Sequence, residues 1–172
     1  RLELLVDDCL IESMTGGAEL RLHNPVPQEV AIVHDEAWEG SGGNYHSMFQ
    51  DSDLYRMYYH GWQLTVADGE LILPHELVTC YAESDDGILW RKPKLGLIEF
   101  EGSRENNIVL ASGDLDGVAV DGGHIAVFKD DNPECPADAA YKALVVSQDF
   151  RGLIPLKSRD GMSWSPMCRT PV

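Results

Sequence analysis

Ser84-Asp85-Asp86-Gly87-Ile88-Leu89-Trp90 returns as Ser158-Arg159-Asp160-Gly161-Met162-Ser163-Trp164. The pattern S-x-D-G-x-x-W therefore occurs twice, each time with a proline shortly after it (Pro93, Pro166). The two tryptophans are 74 residues apart. Upstream of each copy lies a matching pair of apolar runs. Ser47-Met48-Phe49-Gln50-Asp51 precedes Tyr55-Arg56-Met57-Tyr58, and Ala126-Val127-Phe128-Lys129-Asp130 precedes Tyr141-Lys142-Ala143-Leu144. Phe49 and Phe128 are 79 apart while Tyr55 and Tyr141 are 86 apart, so the second copy has a longer first loop and a shorter later one. Self-similarity of this kind marks a repeat architecture, in which one unit cannot bury its own apolar face.

Each copy sits between strand signals and reads as a corner between strands. Glycine tolerates positive φ there, and the Ser and Asp side chains can bind nearby backbone amides, so Asp86 and Asp160 read as turn-locking groups rather than catalytic acids. Period-two alternation over Ala18–His23 predicts a half-buried strand, and Val30–Val33, Asp53–Tyr59, Leu77–Ala82, His124–Phe128 and Tyr141–Ser147 read as further strands. Asp68-Gly69 predicts a tight turn pairing two short strands. Asn132–Asp138 reads as an inserted loop. Leu2–Met14 has the only spacing compatible with a short helix. The Tyr58–Trp62 run reads as strand and core. The fold class is all-β.

Acidic residues number 29 against 13 Lys and Arg, a formal charge of −16 over 172 residues, which argues against nucleic acid as a partner. No stretch approaches the roughly 20 apolar residues of a membrane span. Cys9, Cys80, Cys135 and Cys168 lack metal or redox spacing and read as reduced, mostly buried thiols. No cofactor motif occurs, and no nucleophile triad, phosphate loop or zinc-helix signature. The sequence carries no address for a compartment.

Several stretches resemble a bacterial group within the five-bladed β-propeller glycoside hydrolases (invertase, arabinanase and β-xylosidase relatives). They are Val6–Glu12, Tyr81–Trp90, Glu105-Asn106-Asn107-Ile108-Val109 and Tyr141–Leu144. The resemblance implies propeller-like architecture: an N-terminal strap over 1–39, a first four-stranded blade over 40–110 and a second over 111–172. Closed propellers take about 4–8 blades. Two blades predict either a piece of a longer propeller or self-association through open blade edges.

In propellers the ligand site lies on the axis, where each innermost strand begins. Gly42-Gly43-Asn44-Tyr45-His46 and Asp121-Gly122-Gly123-His124 occupy those places. The resemblance makes Asp121 an axial carboxylate, acting as base or pKa modulator in acid/base glycosidic hydrolysis, with Asn44, His46 and His124 facing the sugar. The histidines also read as strand-end caps, or as metal ligands with Asp114, Asp116 and Asp121. His34-Asp35-Glu36-Ala37-Trp38-Glu39-Gly40 adds Trp38 and Glu39 as a sugar platform, or as a buried plug with solvated acids around it. No third repeat supplies the general acid of the hydrolases. The expected function is thus a glycoside-hydrolase-like propeller acting on a carbohydrate, with a non-catalytic carbohydrate-binding or assembly module, or an inactive fragment, as the alternative.

Overall fold

The computed structural model describes residues 7–149 and 151–172. The described chain is all-β with antiparallel sheets, and its single helical turn, a 3-10 turn at Ala137–Ala139, falls at the end of the inserted loop. No helix among the described residues is long and apolar enough to cross a membrane.

Strands β1 (Gly42–Asp51) and β2 (Leu54–Trp62) form a hairpin. After it, β3 (Thr65–Ala67) and β4 (Glu70–Ile72) pair around the Asp68-Gly69 turn as a separate excursion. β5 (Val78–Ser84) returns beside β2, and β6 (Ile108–Ala111) completes sheet 1 in the order β1-β2-β5-β6. With only Ser112 between, the chain crosses to β7 (Gly113–Leu115). β8 (Val118–Lys129), β9 (Tyr141–Ser147), β10 (Leu153–Ser158) and β11 (Ser165–Pro166) follow, and sheet 2 runs β7-β8-β9-β10-β11.

The two sheets repeat each other in register. Arg56 lies opposite Phe49 and Glu83, and Lys142 opposite Phe128 and Lys157. Tyr58 lies opposite Ser47 and Tyr81, and Leu144 opposite Ala126 and Pro155. The turns match as closely. Ser84 Oγ donates to Asp86 Oδ1 at 2.9 Å and accepts the Gly87 N–H at 2.9 Å, while Asp86 Oδ1 accepts the N–H of Ile88 and Leu89 at 2.8 and 2.9 Å. Ser158, Asp160, Gly161, Met162 and Ser163 reproduce these bonds at the same four distances. Both aspartates are occupied by backbone amides, which holds each carboxyl below its usual range despite the burial that opposes it at Asp160.

Alternation along the strands separates two cores. Tyr58 and Tyr81 point from sheet 1 at Val120, Val127, Ala143, Val145, Ile154, Leu156 and Trp164 of the second half. Met57, Tyr59, Cys80 and Ala82 point the other way, under Ile32, Trp38, Trp90, Ile98 and Phe100. At one end the sheets are tied by Asp51. Its carboxylate meets Arg56 Nε at 2.7 Å, Lys129 Nζ at 2.5 Å and the Tyr141 hydroxyl. Arg56 also donates to the Asp160 carbonyl at 2.7 Å, and its guanidinium lies 4.8 Å from the Tyr141 ring centre.

Some expectations fail at the N-terminal end. The described part of the expected helix, residues 7–14, is irregular, and Leu2–Val6 lie outside the described residues. Ala18–His23 and Val30–Val33 form no strand. A strand needs a partner edge for its amides, and the 18–23 stretch has none among the described residues; Leu22 is 93% exposed. The cysteines also depart from expectation: all four are free, but only Cys80 is buried.

Gly87 and Gly161 both hold φ near +75° to +79°, but their surroundings differ. A methyl at Gly161 would sit 2.5 Å from the Tyr58 hydroxyl, whereas at Gly87 it would rest 3.4 Å from the Tyr55 ring. Left-handed alanine costs about 1–2 kcal/mol, and overpacking adds about 1–3. Urea denaturation is expected to show Gly87→Ala losing only the first amount and Gly161→Ala losing both.

Candidate functional site

The site grows from a bulge. β1 slips register against β2 between Asn44 and Ser47, and Tyr45 takes φ +51°, an uncommon conformation for a residue with a bulky side chain. The extra residue lets Asn44 and Tyr45 both approach sheet 2, while His46 lies with His34 and Tyr59, which belongs to the opposite core. The residues expected from sequence are thereby divided between the two faces of sheet 1.

Toward sheet 2, the structure brings Asn44, Asp121 and His124 together around His60. Asn44 Oδ1 accepts from His60 Nδ1 at 2.9 Å. The His60 and His124 rings lie 5.3 Å apart, and Tyr45 packs over both, at 5.9 and 5.3 Å. Asp121 accepts the Gly123 N–H at 2.8 Å through one oxygen and His124 Nδ1 at 2.8 Å through the other. The glycines here are required by close approach. A methyl on Gly123 would come within 2.5 Å of His60 Nε2, and one on Gly122 within 2.4 Å of the Ala111 carbonyl carbon. Beside this group opens a pocket of about 250 Å³ lined by Tyr45, His124, Ile125, Ala126, Leu144 and Leu153.

On the opposite face stand His46, Trp38 and Glu39. Glu39 is fully buried. One of its oxygens accepts the Tyr59 hydroxyl at 2.5 Å and faces His34 Nδ1 at 3.4 Å; the other accepts Lys92 Nζ at 2.8 Å and the Glu36 N–H at 2.9 Å. Burial alone would raise this carboxyl, but Lys92, Tyr59 and the amide outweigh it and hold it below the usual range. Burial raises the Tyr59 hydroxyl, so it stays a donor. Asn107 bridges, donating to Tyr59 at 2.8 Å and accepting the Trp38 indole N–H at 2.7 Å. Trp38 also sets its edge against Phe100 and lines a second pocket of about 300 Å³ with Lys92, Lys94, Glu36 and Glu105. His34 Nε2 lies 3.1 Å from His46 Nε2, and burial, then the His34 charge, lowers the His46 pKa.

This geometry assigns chemistry unevenly. Asp121 orients His124 through Nδ1 and leaves Nε2 as the outward nitrogen of a half-exposed imidazole, an arrangement suited to accepting or donating a proton. Glu39 has no path to a ligand while its partners hold. Asp114 accepts the Gly117 N–H in the β7–β8 turn, and no group of three or more His, Cys, Asp or Glu among the described residues converges as metal ligands. Sequence reasoning did not assign Tyr45, His60, Tyr59, Lys92 or Asn107 to these clusters, although all but Lys92 fall in stretches it named. The signal that could have found His60 is the β1–β2 hairpin register, which sets it opposite Asn44 near the end of β2. Comparison with known proteins finds no matching family model, no matching curated protein and no matching solved structure.

His60 gives the site a pH signature. Burial first, then the nearby His124 charge, lower its pKa from 6.5 to about 4, and Asp121 only partly offsets them. The unfolded chain therefore takes up a proton before the folded chain does. Stability on this account is full above pH 6.5 and falls by about 3 kcal/mol as the pH drops to 4. Urea midpoints across that range are expected to fall less steeply for His60→Gln than for the unaltered protein.

Proposed function

We propose that the chain binds a carbohydrate at the Tyr45–His124 pocket. What carries this reading is the Tyr45 ring, 60% exposed and held at a bulge in a left-handed conformation beside an Asp121-anchored histidine. Backbone strain at a non-glycine residue persists only where surrounding structure enforces it, and it concentrates at functional positions. An exposed aromatic face packs on the C–H edge of a sugar ring, and His124 and Asn44 sit beside it for the hydroxyls. The architecture we infer is propeller-like, with sheets 1 and 2 as two blades and residues 1–39 as a strap, and it puts this pocket where the innermost strands begin. Trp38 and its pocket are the second sugar-facing surface in this reading.

Glycosidic hydrolysis is the second reading, supported by the Asp121–His124 pair acting as base. Hydrolases of this chemistry use two carboxyl groups flanking the scissile bond. Asp121 has both oxygens engaged and Glu39 is sealed in the core, so binding is the better supported of the two.

Calorimetric titration against a panel of neutral oligosaccharides tests both. Tyr45→Ala is expected to weaken binding by at least about tenfold, roughly 1.4 kcal/mol, with an unchanged circular dichroism spectrum. Saturable binding without turnover of aryl glycosides supports the binding module. Turnover that falls about 10²–10⁴-fold in Asp121→Asn supports the hydrolase. Binding that survives Tyr45→Ala at full strength overturns the site.

A further inference from the structure

Two histidines on the face of sheet 1 away from the Tyr45 pocket meet nitrogen to nitrogen. His34 belongs to the segment before β1, and His46 to β1 itself. Their Nε2 atoms lie 3.1 Å apart and their ring centres 5.2 Å apart. Such a contact is bonded only if one nitrogen carries a proton and the other a lone pair. Glu39, whose carboxyl is held below its usual range, faces His34 Nδ1 at 3.4 Å and favours the proton on that nitrogen. His34 can then meet His46 in two ways. As a neutral ring it accepts the His46 Nε2 proton, and as a cation it donates to a neutral His46. Either state keeps the contact. With both rings protonated, N–H faces N–H and like charges face each other, so no bonded form is left.

We propose that His34 and His46 form a proton-operated clasp, which holds the segment around His34 on β1 at neutral pH and releases it when both rings are protonated. The segment lies close against the strand. A methyl on Gly43 would come within 2.5 Å of the His34 ring, and that ring lies 4.6 Å from Tyr59, which also stacks on His46 at 5.7 Å. Anchors flank the clasp on both sides. Upstream, the Ala31 carbonyl accepts the Trp90 N–H at 3.3 Å; downstream, Trp38 and Glu39 are tied to Asn107, Tyr59 and Lys92. Between these anchors His34 is the group that titrates near neutrality. The charged groups around the pair, among the described residues, are Asp35, Glu36, Glu39 and Lys92. Lys92, from the β5–β6 connection, donates to both Asp35 and Glu39, while Glu36 is exposed. Tyr59, from β2, keeps its proton and donates to Glu39. The carboxylates thus favour a first proton on the pair, and Lys92 offsets their pull on a second. Burial, then the His34 charge, lowers the His46 pKa from 6.5, so the closed clasp takes up the second proton less readily than the open one. The clasp is closed at pH 6.5 and above, and it opens as the pH falls through the lowered His46 value. His46 is exposed, which gives the proton its route.

Histidine-ring NMR from about pH 8 down to about pH 5, without sugar, tests the clasp. His34 and His46 are expected to titrate as a coupled pair, with the second step below 6.5. Cross-peaks between the His34 and Tyr59 rings are expected to disappear with that second step. His46→Gln, which can still hydrogen-bond but cannot take up a charge, is expected to keep those cross-peaks down to about pH 5. His34→Gln is expected to raise the His46 pKa toward 6.5. His60→Gln is expected to leave the opening unchanged, which separates it from the acid sensitivity of the opposite face. Cross-peaks that survive protonation of both rings overturn the inference. So does their loss at the same pH in His46→Gln, or a titration in which the two rings are independent.

Discussion

Glu39 is a carboxylate with no exposure to water, and such a group persists only if its charge is answered in place. Four donors or partners answer it: Lys92, Tyr59, His34 and the Glu36 amide. They come from the turn before β1, from β2 and from the long connection between β5 and β6. Lys92 is the lysine that balances this charge, and removing it would leave Glu39 buried without that counter-ion, a loss on the order of 3–5 kcal/mol. Through Tyr59 and Asn107 the same network fixes Trp38, which covers the second core of sheet 1. A sheet with both faces covered can then act as the rigid support on which the β1 bulge is held.

That bulge is where fold becomes site. Without it, strict alternation from Asn44 would put Tyr45 on the face away from sheet 2 and His46 on the face toward it. One extra residue reverses this. Tyr45 gains the company of His60 and His124, and His46 is left against His34. The glycines at 122 and 123 complete the arrangement from the other side, since only a strand without side chains at those positions can press against Ala111 and His60. The two glycine-rich strand starts do similar work: each adjoins a register shift, and each keeps glycines where a side chain would collide, Gly42 and Gly43 with Trp62 and His34, Gly122 and Gly123 with Ala111 and His60.

Much of the sheet framework was legible because it depends on local rules. The S-x-D-G-x-x-W turns satisfy their own amides, so their chemistry could be read without knowing what surrounds them. The strands flanking them carry aromatic and β-branched residues in patterns that hold in isolation. Ala18–His23 shows the limit of that logic. Its alternation is cleaner than that of β9, yet alternation describes a face, and the stretch has no edge to pair with among the described residues. The site was less legible for a similar reason. Nothing at Asn44-Tyr45-His46-Ser47 announces a bulge, since no glycine or proline marks the left-handed residue. Sequence reasoning therefore placed Asn44, His46 and His124 around one channel, where the structure puts His46 on the other face. Glu39 was noticed for its charge, but its burial follows from Lys92 and Tyr59, which are distant in sequence.

The repeat explains a further asymmetry that neither local rules nor core counting reaches. Both sheets keep the same registers and the same turns, so duplication preserved the backbone step from one sheet to the next. The side chains on the stacking face did not stay equivalent. Sheet 1 meets sheet 2 with groups that need polar partners, and it finds some of them: Asn44 for His60 and Gly122 for Thr79. His60 lies opposite Thr79 as Val146 lies opposite Leu153, so sheet 2 carries at the matching positions two groups that need no such partner, and the shared framework does not depend on the polar pairs.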